Sequence, residues 1–233
     1  MTDSFQLAHV PGVMPAKWVR MWAERVPAVP LVLTQTPAAD AAGLVRERDV
    51  DAVLLRLPVD KTGLHAIPLY IETTVIVVPK EHSFDDSVSA ADVADEIVLH
   101  PLDDVLDWAR PPGRPALDRP ATTKDAVDLV AAGVGLLVVP QSLARLHHRR
   151  DLTYLPFVDA PQSQVALSWP ADETTDLMEE FIGIVRGRTA NSTRGRPQEP
   201  VKREKTPKVS KVSTRQRAGT SRGAGRGKSR RRS

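Results

Sequence analysis

Cysteine is absent from the 233 residues, so disulfides and thiolate chemistry are both excluded. Aromatic residues make up only 4 % of the chain. A core must therefore be built from Val, Leu and Ala, as is ordinary for an α/β protein. There is no run of about eighteen or more apolar residues, so no membrane-spanning helix is expected. The start, Met1-Thr2-Asp3-Ser4-Phe5, lacks the basic and then apolar order of a secretory signal. The chain reads as cytoplasmic. Catalytic signatures are missing too: there is no GxSxG elbow, P-loop, GxGxxG or HExxH. No cofactor and no enzyme activity are expected. His147 and His148 are adjacent, so on a helix they point apart and make a poor metal pair. The acid pairs Asp85-Asp86 and Asp103-Asp104 read as solvated loop or cap residues.

What is present divides sharply by charge. The net charge is +3, with 32 Lys+Arg against 29 Asp+Glu. Residues 188–233 hold 16 of the basic side chains and only 2 acidic ones, a net of +14. Residues 1–187 hold the remaining 16 basic and 27 acidic side chains, a net of −11. Segments of such opposite sign have different partners, and blocks of one sign are usually interaction tails.

The first sixty residues read strand–helix–strand–helix–strand. Phe5 to Val10 alternates loosely and is cut by Pro11-Gly12, and Pro15 opens a helix carrying Trp18, Met21, Trp22 and Val26. Leu31 to Thr34 is a strand. Thr36-Pro37 offers an N-cap followed by Pro at the first helical position. Val50 to Leu57 is a continuous apolar run, the kind covered on both faces. This order predicts a parallel sheet with right-handed crossovers. Pro68 to Val78 is extended. Beyond it, Ser89 with Asp92 predicts a short capped helix, Ile97 to Leu99 a strand, and Asp103 to Arg110 a helix. Thr122 or Thr123 caps a further helix that ends at Gly133; Leu136 to Val139 is a buried strand, and Pro140 opens a short helix. Tyr154 to Val158 and Val165 to Trp169 are strands, and Thr174 or Thr175 starts a last amphipathic helix.

Several phrases, in order and spacing, resemble the effector-binding domain of LysR-type transcriptional regulators. They are Phe5 to Trp22, Leu33 to Leu44, Asp49-Val50-Asp51-Ala52-Val53-Leu54, Leu64 to Leu69, Val77 to His82, and Leu129 to Pro140. The last is the most specific, a helix ending in Gly that returns through a short apolar strand to Pro. The resemblance implies an α/β, two-lobed fold like the type 2 periplasmic binding proteins, with mixed sheets. It implies lobe I at about 4–78 and 155–187, lobe II at about 79–154, and a tail at 188–233. Family members begin with a winged helix-turn-helix; here the sequence starts at the first strand of the effector domain, so operator recognition is not carried over. The family dimerises through this domain, which makes a homodimer the expected assembly.

The resemblance also implies a ligand between the lobes, where helix N-termini suit a small carboxylate. On one side it places Gly12, Val13, Met14, Thr34 and Thr36. On the other it places Leu99, His100, Pro101, Thr122 and Thr123, with Arg56, Pro58 and Val78 near the crossovers. Each has a plainer reading. Thr36 and Thr123 are sound caps without any ligand. Arg56, a candidate anion partner, could pair instead with an acid such as Asp51 or Asp60, and His100 beside Pro101 reads as a solvated loop residue. Pro11-Gly12-Val13 offers backbone N–H groups but no hydroxyl.

The tail contains little but Arg, Lys, Gly, Ser, Thr, Pro, Ala and Gln with three Val, so it cannot offset its ordering entropy and is expected to be disordered. The cations expected to meet nucleic acid are Lys202, Arg203, Lys205, Lys208, Lys211, Arg215, Arg217, Arg222, Arg226, Lys228, Arg230, Arg231 and Arg232, spaced by small residues. Such spacing tracks phosphates without reading bases. The expected partner is nucleic acid, bound non-specifically; the acidic body or another acidic partner is the alternative, and a membrane surface the weakest. No aromatic occurs there to stack on single-stranded bases. Two readings of the chain stay open. One is a transcription-related regulator that senses a small organic anion. The other is an interaction module whose cleft is a relic.

Overall fold

The computed structural model describes residues 4–188. Residues 189–233, with the tail cations named above, lie outside them. Ten strands and five helices follow in the order β1 (Phe5–His9), α1 (Ala16–Arg25), β2 (Leu31–Gln35), α2 (Ala41–Arg46), β3 (Ala52–Leu57), β4 (Leu64–Glu72) and β5 (Thr74–Pro79). Then come β6 (Ile97–Leu99), β7 (Arg114–Pro115), α3 (Thr123–Ala131), β8 (Leu136–Pro140), α4 (Gln141–Leu146), β9 (Leu152–Pro156), β10 (Ser163–Pro170) and α5 (Asp176–Val185).

The strands form two mixed five-stranded sheets, in the orders β2-β1-β3-β10-β4 and β7-β6-β8-β5-β9. In the first, β1 pairs in parallel with β2 and β3, as the strand–helix–strand reading requires, while β10 returns antiparallel between β3 and β4. In the second, β5 runs antiparallel to β8 and β9, and β6 parallel to β7 and β8. The chain thus changes sheets at Thr73 and again between Pro156 and Ser163. The sequence drew these crossings at 78/79 and 154/155. Both β5 and all of β9 belong to the second sheet, because the apolar alternation of β5 is completed there: Val75 and Val77 face one core cluster, Ile76 and Val78 the other. The two crossing segments are bonded to each other, Phe157 N–H to Thr74 O at 3.0 Å and Thr74 Oγ1 to Pro161 O at 3.2 Å.

The first lobe is closed by aromatic packing. Phe5 stacks on Trp22 with centroids 4.7 Å apart, and Phe181 of α5 meets both rings. The Trp22 indole donates to Val29 O at 2.7 Å, so this buried ring leaves no orphaned N–H.

Three predicted helices differ. The helix expected after Thr36 starts only at Ala41, because Pro37 to Asp40 closes a turn first. Ser89 and Asp92 make the expected bonds, but only turns follow, held by Ala94 N to Ala91 O and Glu96 N to Val93 O. Asp103 to Arg110 is irregular: Asp104 Oδ1 takes the Leu106 N–H at 3.0 Å, a local bond that competes with helix formation, and prolines stand on both sides. No helix among the described residues is long and apolar enough to cross a membrane.

Candidate functional site: the cleft between the lobes

The lobes meet where the β1–α1 turn approaches the start of α4. Gly12 sits at φ +82°, and a Cβ there would lie 2.8 Å from Ser142 Oγ and 3.1 Å from Arg56 Nη2. Only glycine combines that backbone with that contact.

Beneath the turn lies a buried ion pair. Arg56 on β3 donates from Nε to Glu72 Oε2 at 2.7 Å, from Nη1 to Pro11 O at 2.9 Å, and from Nη2 to Glu72 Oε1 at 3.3 Å and Ser142 Oγ at 3.1 Å. Their side chains are only 4 % and 5 % exposed. Ser142 Oγ donates in turn to Glu72 Oε1, and Ser163 Oγ to Glu72 Oε2 at 2.7 Å. Burial pushes the Glu72 carboxyl up, but the bonds and charge of Arg56, with the two hydroxyls, outweigh it and hold the group below its usual range. Arg56 is therefore no free anion partner. It pairs with neither Asp51, which accepts from Gln6 N, nor Asp60, which holds Arg46, because neither lies beside its β-strand position.

This network joins both lobes, since Ser142 belongs to α4 and Glu72 and Ser163 flank the two crossings. The sequence reading named none of these three. The available signal was Glu72 itself, a lone acid between the apolar runs of β4 and β5, which a buried position obliges to find a cation.

The other expected residues fall as follows. Met14 is exposed, whereas Val13 and Thr36 are buried. Thr34 and Pro58 are exposed. Val78 is sealed inside the second lobe and Leu99 nearly so, which removes both side chains from a ligand's reach. Thr122 caps α3, accepting from Asp125 N at 3.1 Å, and its own hydroxyl donates to Asp125 Oδ2. Thr123 is buried and donates to Asp103 Oδ1 at 2.9 Å. His100 is not a solvated loop residue: its side chain is 15 % exposed, its Nδ1 lies 3.8 Å from Asp104 Oδ2, and its ring meets Trp108 edge-on. Its carbonyl and that of Pro101 accept from Arg119. Among the described residues no group of three His, Asp or Glu could hold a metal ion.

The profile of the LysR substrate binding domain matches residues 7–190. The chain belongs to the LysR substrate-binding-domain family. This is a regulator's domain, in a family whose members are not enzymes. Its curated relatives include a probable hydrogen peroxide-inducible genes activator of Mycobacterium avium, 32 % identical over 164 residues, or 66 % of this chain and 52 % of that protein. The HTH-type transcriptional regulator AlsR of Bacillus subtilis is 25 % identical over 180 residues, 71 % of this chain and 59 % of AlsR. The chain thus spans about half the length of the curated relatives it matches. Among solved structures, the oxidized form of OxyR has a TM-score of 0.65 at 19 % identity, over 80 % of this chain and 94 % of the other. The BenM effector binding domain with its effector benzoate also scores 0.65, at 18 % identity over 79 % and 90 %. Both likenesses show the shared two-lobed LysR effector-domain fold.

Proposed function

We propose that this LysR domain senses a small organic carboxylate between its lobes and reports it through their relative position, within a transcription-related regulator. The observation that carries the reading is the Arg56–Glu72–Ser142 network. It ties the lobes together at the base of the cleft, so a ligand that shifts either lobe must work against it. Benzoate in the BenM domain supports the carboxylate class. Glu72 already neutralises Arg56, so the ligand's charge is met by backbone N–H groups around Gly12 and at the start of α3. Peroxide enters the names of several relatives, but this chain has no cysteine, so it cannot read peroxide through a thiol. The test is thermal unfolding of the full chain against a panel of small carboxylates at fixed ionic strength. A ligand at a hundred times its Kd adds about 2.7 kcal/mol of stability, so a panel in which no member raises Tm rejects carboxylate sensing.

One set of observations favours the second reading, an interaction module with a relic cleft and a tail that meets an acidic partner. Arg56 and both threonine hydroxyls at α3 are satisfied internally. That panel decides between the two.

The domain forms a homodimer in either case. Edge strand β2 supports this, with Val32 and Leu33 exposed beside an unpaired ladder. Sedimentation equilibrium is expected to give twice the chain mass; a monomer across the accessible concentrations rules the dimer out. The basic tail adds non-specific binding to nucleic acid.

A further inference from the structure

We propose that the second lobe binds a small phosphate, free or as a monoester, in a cavity of its own between α3, α4 and β9. The cavity has a volume of about 160 Å³, with Val77, Val127 and Leu152 as its buried floor. A space of about 150 Å³ holds a benzene-sized guest, so there is room for a phosphate with a short substituent. The site is separate from the cleft between the lobes. The chain enters β5 from the crossing at Thr74, and Lys80 of the cavity wall stands six residues further on, about 20 Å along an extended strand.

The charge of the wall has one sign. Lys80, His147, His148 and Arg149 line the cavity, and no carboxylate does. In residues 1–187, where 27 acidic side chains face 16 basic ones, such a grouping runs against the average. The two acids that stand beside it are already held. Asp128 accepts from Lys124 Nζ and from Arg149 Nη1, both at 2.8 Å, and Asp151 accepts from Arg149 Nη2 at 3.1 Å. Lys80, His147 and His148 take part in no ion pair among the described residues, so their donors are open to a ligand.

Tyr154 adds a neutral donor to the same wall. Its hydroxyl accepts from Arg145 Nε at 3.2 Å and keeps its own hydrogen for another acceptor. Several donors of different kinds around one small space suit an anion with three or four acceptor oxygens better than a carboxylate with two. Burial holds the pKa of His147 below its ordinary value; Lys124 acts the same way, while Asp103 and Asp128 oppose it. A dianion in the cavity stabilises the charged ring and so reverses that shift.

Inorganic phosphate is the probe, added to the ¹³C-labelled full chain near neutral pH and at constant ionic strength. The six histidines give six sets of ring signals, and His147→Gln identifies one by deleting it. Phosphate is expected to move that signal saturably toward the imidazolium position. Lys80→Gln, at an exposed position, is expected to weaken binding about ten-fold. The readout is local, so phosphate that meets the basic tail does not enter it. Tighter binding of methyl phosphate than of the free ion identifies a monoester as the ligand, and the reverse identifies the ion itself. A stationary His147 signal overturns the proposal. So does a shift that chloride reproduces at the same ionic strength, or an affinity that Lys80→Gln leaves unchanged.

Discussion

Arg56 and Glu72 are a case where geometry decides what a charge can do. An arginine near a cleft invites an anion, but here a carboxylate, a hydroxyl and a backbone carbonyl of the same chain take up its donors. Breaking a buried pair leaves one uncompensated charge, so Glu72→Gln is expected to cost about 3–5 kcal/mol in chemical denaturation. The double change Arg56→Met with Glu72→Leu is expected to recover most of it, because an apolar pair carries no desolvation penalty. A loss well under about 1 kcal/mol in the single variant contradicts the buried pair. The pH dependence has a definite sign. The folded Glu72 carboxyl lies below its ordinary value of 4.5, so its contribution is full above that pH and is lost as pH falls through the depressed value. The gap between wild type and Glu72→Gln should therefore narrow in acid. The apolar setting of Glu72 was visible in the sequence, but not its partner. Arg56 and Glu72 are joined only because β3 and β4 flank β10 in one sheet.

Among the elements, helix starts divide into those held by a side chain and those held by packing. Thr122 and Thr175 accept backbone N–H bonds at the starts of α3 and α5, as the sequence predicts for those positions. Asp40 before α2 makes no such bond. Thr175→Ala is accordingly expected to lower stability by about 1 kcal/mol and Asp40→Ala by at most a few tenths. Comparison of urea midpoints checks this, and equal losses would deny the distinction. Elements with a strong apolar period, α1, β3, β8 and α5, were legible because burial and pattern agree there. In the 81–120 stretch only β6 was legible; the two helices expected there did not form. Acid side chains can bond their neighbours' N–H groups as well in a turn as at a helix cap, and Asp92 and Asp104 take the turn.

At the scale of the whole molecule, the sequence divides into an acidic body of net −11 and a basic tail of net +14, and the nucleic-acid binding proposed for the tail is open to a direct test. For the full chain on mixed-sequence duplex, log affinity should fall by about 0.9 for each phosphate contacted as log salt rises. Replacing Arg230, Arg231 and Arg232 by Gln should make that slope shallower. No binding even at low salt, or an unchanged slope, turns the tail's role toward an acidic protein partner. The sequence by itself determined the alternation of strands and helices, the family, the charge division and the absence of thiol chemistry, because these depend on residue type and local period. Only the tertiary structure decided where the chain crosses between sheets, that Glu72 and not Asp51 or Asp60 faces Arg56, and that Val78 is sealed in a core. Those outcomes depend on which strands become neighbours. An apolar run such as β5 satisfies either sheet equally well until the partners on both its faces are in place.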